Sequence, residues 1–226
     1  MQFSFIFAIF ALFVATAVRA EIELTYFGIK GRGEAIRLIL HYANVPFKDT
    51  RLNSTEWLKV KGDKSRFPYA VMPVLRVGQH LIAETPVITR FVARMTRLDY
   101  GYDVFEQARL DEIYTVGYEF YGKIIIYLSI SAGAIPGDKD NEYKTNVVPA
   151  VQKYMPLIEE HLKSSQNGFF SPRGLSYVDL FWASVIDWMN DIMPNDLKPY
   201  QASIELKNKV LALPQLQEYL RSRDEK

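Results

Sequence analysis

Two periodicities divide the chain. From Glu21 to about Arg97, short apolar runs alternate with amphipathic ones. Ile22, Leu24 and Tyr26 alternate with polar neighbours, which predicts a strand ending at Gly28 and the Gly31-Arg32-Gly33 turn. Ile36, Ile39, Leu40 and Ala43 then recur at the spacing of one helical face, so Glu34–Ala43 reads as a helix. Phe47–Leu52 is a second strand, followed by a polar, irregular stretch that contains Trp57 and Lys61. "VMPVLRV" and "HLIA" are two more strands, joined by a Gly78-Gln79 hairpin turn. "ETPVITRFVARM" reads as a helix with Glu84 in its first turn, where free N–H groups and the helix dipole favour negative charge. The order β-α-β, then β-β-α, describes a small sheet with helices on its faces.

Past a polar joint near Leu98–Asp103 the period is helical throughout. Helices are expected at roughly 105–132, 142–165, 176–191 and 205–223, broken at Pro136-Gly137, at Asn167-Gly168 and by Pro194 and Pro199. Ser176 reads as the N-cap of the third, with Asp179 reaching back to it. An α/β domain over 21–98 is thus followed by an all-α domain over 104–226.

Residues 3–18 are almost wholly apolar and uncharged, and small residues follow at Ala15, Ala17 and Ala20. That pattern predicts a signal peptide over 1–20, cleaved after Ala20 or Ala17, since about 16 apolar residues fall short of the ~20 needed to span a bilayer. The protein would then be secreted, with no stable membrane insertion after cleavage. The chain has 27 basic and 26 acidic residues, and loss of Arg19 leaves them equal in number. A neutral chain without a long basic run has no electrostatic reason to bind nucleic acid. In a secreted chain, Asn53-Ser54-Thr55 is a glycosylation sequon at Asn53. There is no cysteine, which excludes disulfides, thiol–disulfide exchange and a cysteine nucleophile. His41, His80 and His161 are scattered without metal-ligand spacing, and no metal site is expected.

Four segments carry a family resemblance. "LTYFGIKGRGEAIRLIL" resembles the opening of sigma-class glutathione transferases, in which a strand ends in Tyr-Phe and runs into an arginine-bearing turn. "MPVL" resembles the segment around that family's cis-proline, "ETPVITRFVA" the helix start that follows, and "LSYVDLFWA" the buried capping box of its helical domain. The resemblance covers about residues 21–223, in the manner of secreted nematode forms. It implies a thioredoxin-like N-terminal domain before the all-helical one, glutathione as co-substrate without a further cofactor, and a homodimer.

The chemistry follows from the thiol. A free thiol has a pKa near ~8.5, and only its thiolate is a good nucleophile. A tyrosine hydroxyl, itself protonated up to pH ~10, favours the thiolate by donating a hydrogen bond to sulfur. Alone in a strand, Tyr26 would be a packing residue. The resemblance makes it the catalytic hydroxyl, with Arg32 reinforcing the thiolate electrostatically. It also assigns the main chain of Met72, before a cis Pro73, to pairing with the tripeptide backbone like an added strand. Trp57 and Lys61 would grip the glycine carboxylate. Glu84 and Thr85 would hold the γ-glutamyl end, Glu84 by accepting from its ammonium. Tyr114, Tyr118 and Tyr121 are spaced either to line an electrophile pocket or to fill a helical core.

Three positions depart from the family pattern. Val71 stands where a glutamine is usual, Glu84-Thr85 replaces an amide–serine pair, and Thr115 replaces an aspartate that reaches across the dimer. The implied activity is conjugation of glutathione to hydrophobic electrophiles such as lipid-derived aldehydes, with room for prostaglandin D synthase activity. The alternative is a non-catalytic binding or structural relative like the lens S-crystallins.

Overall fold

The computed structural model describes residues 21–224, and the expected signal peptide lies outside them. Four strands form one mixed sheet in the order β2-β1-β3-β4: β1 (Ile22–Phe27), β2 (Lys48–Leu52), β3 (Val74–Val77) and β4 (His80–Ala83). β1 runs parallel to β2, with Tyr26 opposite Arg51, and antiparallel to β3, with Leu24 opposite Leu75. The parallel pair needs a crossover, which α1 (Glu34–Tyr42) supplies. The β3–β4 hairpin turns at Gly78, whose φ of 58° is left-handed. The architecture is a thioredoxin-like domain followed by an all-helical one.

The chain groups into two compact bodies. The first runs through Gly28 and resumes at Pro46–Glu84, so it holds the whole sheet and α2 (Ser54–Val60). Leu24, Leu75 and Phe67 are among its most deeply buried side chains. The stretch expected to be irregular is in fact α2. Asn53 Oδ1 accepts from the Glu56 N–H at 2.9 Å, and Glu56 Oε2 accepts from the Asn53 N–H at 2.8 Å, a complete capping box. No residue of α2 is buried, so it carries no apolar stripe for periodicity to detect. β3 starts later than the expected Val71, because Pro73 has no N–H to donate to a ladder.

The second body comprises Ile29–Val45 and the chain from Thr85 onward. It contains α1, α3 (Thr85–Met95), α4 (Val104–Ser131), α5 (Val148–Ser164), α6 (Tyr177–Ile192), α7 (Gln201–Leu211) and α8 (Gln217–Asp224). α6 is buried at every residue from Tyr177 to Met189 and packs against α1, α4 and α7. A Cβ at Gly117 of α4 would come within 2.7–2.8 Å of Phe181 and Trp182, so only glycine allows α4 so close to α6. Two expected helices are more broken than their apolar spacing suggested. A π-helical turn at Tyr143–Val147 leads into α5, where Pro149 has no N–H to offer. The segment read as one helix over 205–223 is α7 and α8, separated at Pro214 by a 3-10 turn.

The capping box of α6 is buried to the limit. Ser176 and Asp179 are both 0% exposed. Asp179 Oδ2 accepts from the Ser176 N–H and the Ser176 hydroxyl, each at 2.7 Å, and Oδ1 accepts from the Phe170 N–H at 2.9 Å. Burial pushes the Asp179 carboxyl up to about 6, against the pull of these donors.

Candidate functional site

Most of the predicted glutathione contacts lie in the first body. Tyr26 is the penultimate residue of β1 and only 5% exposed. Its ring meets Phe27 edge-on at 5.5 Å. Phe27 is 6.4 Å from the ring of Trp57, which stands edge-on against the buried Phe67 at 4.9 Å. Trp57 is therefore held by two phenylalanines while remaining half-exposed. Lys61 is the exposed C-cap of α2, its N–H donating to the Trp57 carbonyl at 2.9 Å. Asn53, Trp57 and Lys61, four residues apart, share one side of this helix. The Met72–Pro73 peptide bond is cis.

Glu84 corrects the sequence reading. It stands one residue before α3 rather than in its first turn, exposed and with a φ of 71°. The left-handed residue swings the chain out of β4 into the helix, and for a residue with a Cβ it costs ~1–2 kcal/mol. Strain retained at a polar, exposed position is a feature of ligand clamps. Thr85, which opens α3, is buried, and its carbonyl accepts from Thr89 Oγ1 at 2.8 Å.

Arg32 and its neighbours belong to the second body. Arg32 sits in the one-turn 3-10 segment Gly31–Gly33, where Gly31 has a φ of 44°. Its Nη1 donates to Tyr118 Oη at 3.1 Å, and the guanidinium carbon lies 5.9 Å from the Tyr118 ring centre. Of the three α4 tyrosines singled out in the sequence, Tyr114 and Tyr121 are core, 0% and 4% exposed. Tyr118 is the exception, half-buried and engaged with Arg32. Spacing alone could not separate the three, since all recur on one helix face.

One turn before Tyr118, Arg90 caps the Tyr114 ring at 4.8 Å and reaches the Thr115 position. Its Nε donates to Asp111 Oδ1 at 2.7 Å and its Nη2 to Thr115 Oγ1 at 2.8 Å. Asp111 Oδ1 also accepts from the Tyr177 hydroxyl at 2.6 Å, and burial, together with this bond, holds that phenol far above its ordinary pKa. Thr115 is thus bound within its own subunit. No cluster of three or more His, Asp or Glu residues able to hold a metal occurs among the described residues. No described helix is long and apolar enough to cross a membrane.

The chain matches the family "Glutathione S-transferase, N-terminal domain" over residues 22–94 and "Glutathione S-transferase, C-terminal domain" over 130–223. It is 32% identical over 202 residues to a probable glutathione S-transferase of Caenorhabditis elegans, gst-36, covering 88% of this chain and 94% of that one. The chain belongs to the glutathione S-transferase family. Its backbone also resembles the solved glutathione S-transferase of Ascaris lumbricoides, with a TM-score of 0.79, 29% identity and coverage of 90% and 97% of the two chains. A prostaglandin synthase D of Nilaparvata lugens is similar too, with a TM-score of 0.78, 26% identity and coverage of 90% and 98%. Glutathione is therefore this transferase's co-substrate, and the family needs no other cofactor.

The geometry of Glu84 separates its local strain from its assigned contact. In the transferase, Glu84→Gly relieves the left-handed strain while adding unfolded-chain entropy, two terms of ~1 kcal/mol and opposite sign. Its melting temperature should stay near that of the wild type. The bond that the family resemblance assigns to Glu84, a charge-assisted one to the γ-glutamyl ammonium worth ~1.5–3 kcal/mol, would go with it, and KM for glutathione should rise about tenfold or more. Calorimetry and steady-state kinetics on one preparation check both halves. An unchanged KM would remove Glu84 from the site.

Proposed function

We propose that this transferase is of the sigma type, a homodimer that adds the glutathione thiolate to hydrophobic electrophiles, lipid-derived aldehydes among them. Tyr26 donates to the sulfur, Arg32 adds positive potential, and Trp57, Lys61, Met72, Pro73, Glu84 and Thr85 hold the tripeptide. The observation that carries this reading is Arg32. The sigma-type opening calls for an arginine in this turn, and here its guanidinium is held on the Tyr118 hydroxyl at 3.1 Å. Similarity to the prostaglandin synthase of Nilaparvata lugens supports prostaglandin H-to-D isomerisation as a second activity of the same thiolate. A Nu-class enzyme of Haemonchus contortus has comparable similarity, with 26% identity.

A glutathione-affinity column, followed by assays with chlorodinitrobenzene, a long-chain enal and the prostaglandin endoperoxide, tests the reading. Retention with turnover of the enal and the endoperoxide supports it. Retention with turnover of chlorodinitrobenzene alone leaves a transferase outside the sigma type. A folded protein with no turnover is the crystallin-like alternative, which the departures at Val71 and Thr115 favour. Thr115 bears on assembly as well, since a threonine, here engaged by Arg90, brings no carboxylate to reach across a dimer. Na-GST-3 of Necator americanus, 28% identical, was described as monomeric, so sedimentation of the purified protein decides the homodimer.

Secretion and glycosylation belong to the same proposal. Asn53 is exposed and uses Oδ1 for its cap, leaving the glycan-bearing Nδ2 out of that bond. Intact mass of the native protein, before and after glycosidase, should show loss of residues 1–20 or 1–17 and a glycan at Asn53. A mass equal to that of the whole unmodified chain would contradict both.

A further inference from the structure

The turn that carries Arg32 is flanked by an ion cluster whose last member comes from the opposite end of the chain. Lys30, just before the turn, donates to Asp187 Oδ2 at 2.7 Å and to Asp191 Oδ2 at 2.5 Å, both on α6. Glu34, just after it, is 1% exposed. Its Oε2 accepts from the Tyr219 hydroxyl at 2.7 Å, and its Oε1 lies 2.8 Å from Arg223 Nη1. The same Arg223 nitrogen lies 3.1 Å from the Asp187 oxygen used by Lys30. Arg37 closes the set, 3.7 Å from Glu34 and donating to the Ile29 carbonyl at 2.9 Å. Three cations, Lys30, Arg37 and Arg223, thus face three carboxylates, Glu34, Asp187 and Asp191.

Arg223 joins the two halves of this cluster, because it touches both Glu34, just after the turn, and Asp187, the partner of Lys30 just before it. It sits on α8, a polar helix of eight residues in which Tyr219 is the one buried side chain with described surroundings. Tyr219 also stacks on His41 of α1, with ring centres 4.2 Å apart and planes within 16°. Without Arg223, three carboxylates would face two cations, with Glu34 and Asp187 buried. A buried carboxylate that loses its partner either draws in water or moves toward another cation. The cations that remain in the cluster are Lys30 and Arg37, which flank the turn.

We propose that Arg223 is a positioning residue for catalysis: from the C-terminal helix it fixes both ends of the Gly31–Gly33 turn and so the aim of Arg32. The proposal rests on the catalytic role of Arg32, and the test keeps the two apart. Conjugation rates are measured for Arg223→Ala, Arg223→Lys, Arg221→Ala, Arg32→Ala and the Arg32→Ala/Arg223→Ala double variant. Misaim of one charged group is expected to lower kcat about tenfold in Arg223→Ala, with KM for glutathione within about twofold of wild type. Arg223→Lys keeps one charged nitrogen within reach of both carboxylates and should recover most of the rate. Arg221, exposed on the same helix, supplies the control for charge loss alone. The double variant should be no slower than Arg32→Ala, because a residue that acts through another adds nothing once that one is gone. Arg223→Gln, which keeps a donor for Glu34, takes the place of Arg223→Ala if the alanine variant does not fold. A wild-type kcat in the folded Arg223 variant, or a loss that multiplies onto Arg32→Ala, overturns the brace. A wild-type rate in Arg32→Ala overturns the role of Arg32 itself.

Discussion

Tyr26→Phe should fold like the wild type, stay on a glutathione column and lose at least ~10-fold in conjugation rate. The substitution removes one oxygen from a ring that is 5% exposed, and it leaves the edge-on contact with Phe27 intact. Little packing energy is lost, so a change in rate reports on the hydroxyl. A hydrogen bond to a charged acceptor contributes ~1.5–3 kcal/mol, and each 1.4 kcal/mol is a factor of ten. The loss should appear at neutral pH and shrink at alkaline pH, where free glutathione ionises unaided. Binding should persist, because the residues proposed to hold the tripeptide, Trp57, Lys61, Met72 and Glu84, are untouched.

The second large effect is on stability. Asp179→Ala should destabilise the protein by about 4 kcal/mol, because it orphans donors inside a fully buried cap. Those donors are the Ser176 N–H, the Ser176 hydroxyl and the Phe170 N–H. In a domain of this size that corresponds to a fall of roughly 8–16 °C in melting temperature. The pH dependence has a definite sign. The folded carboxyl titrates at about 6, above its ordinary 3.8, so folding takes up a proton between those values. The contribution of this group is therefore most favourable below about pH 4 and declines as pH rises through about 6. Asp179→Asn cannot titrate and should flatten that segment of the profile. Thermal melts from pH 4 to 7 check it, and parallel profiles for the two proteins would remove Asp179 as the titrating group.

Much of this was readable from residue patterns, and the misses have physical causes. The strand that carries Tyr26, the helix from Glu34 and the Ser176–Asp179 cap were legible because each couples a strict period to a punctuating residue. α2 was not, since a helix with no buried face has nothing to repeat, although its Asn53-x-x-Glu56 cap was there to be read. The Glu84 backbone escaped because a left-handed φ at a residue with a Cβ has no signature in composition. Tyr118 was indistinguishable from Tyr114 and Tyr121, because helical spacing defines a face and cannot say which member meets an arginine 86 positions away. Arg223 was invisible for the same reason at greater range: its partner Glu34 lies 189 positions earlier.

The most direct test of Tyr26 is titration of the bound thiol, followed by thiolate absorbance in the binary complex with glutathione. The wild-type complex should ionise at least about one pH unit below the ~8.5 of a free thiol, and the Tyr26→Phe complex should return most of the way to that value. Equal titration in the two complexes would contradict the assignment of Tyr26 as the hydroxyl that makes the nucleophile.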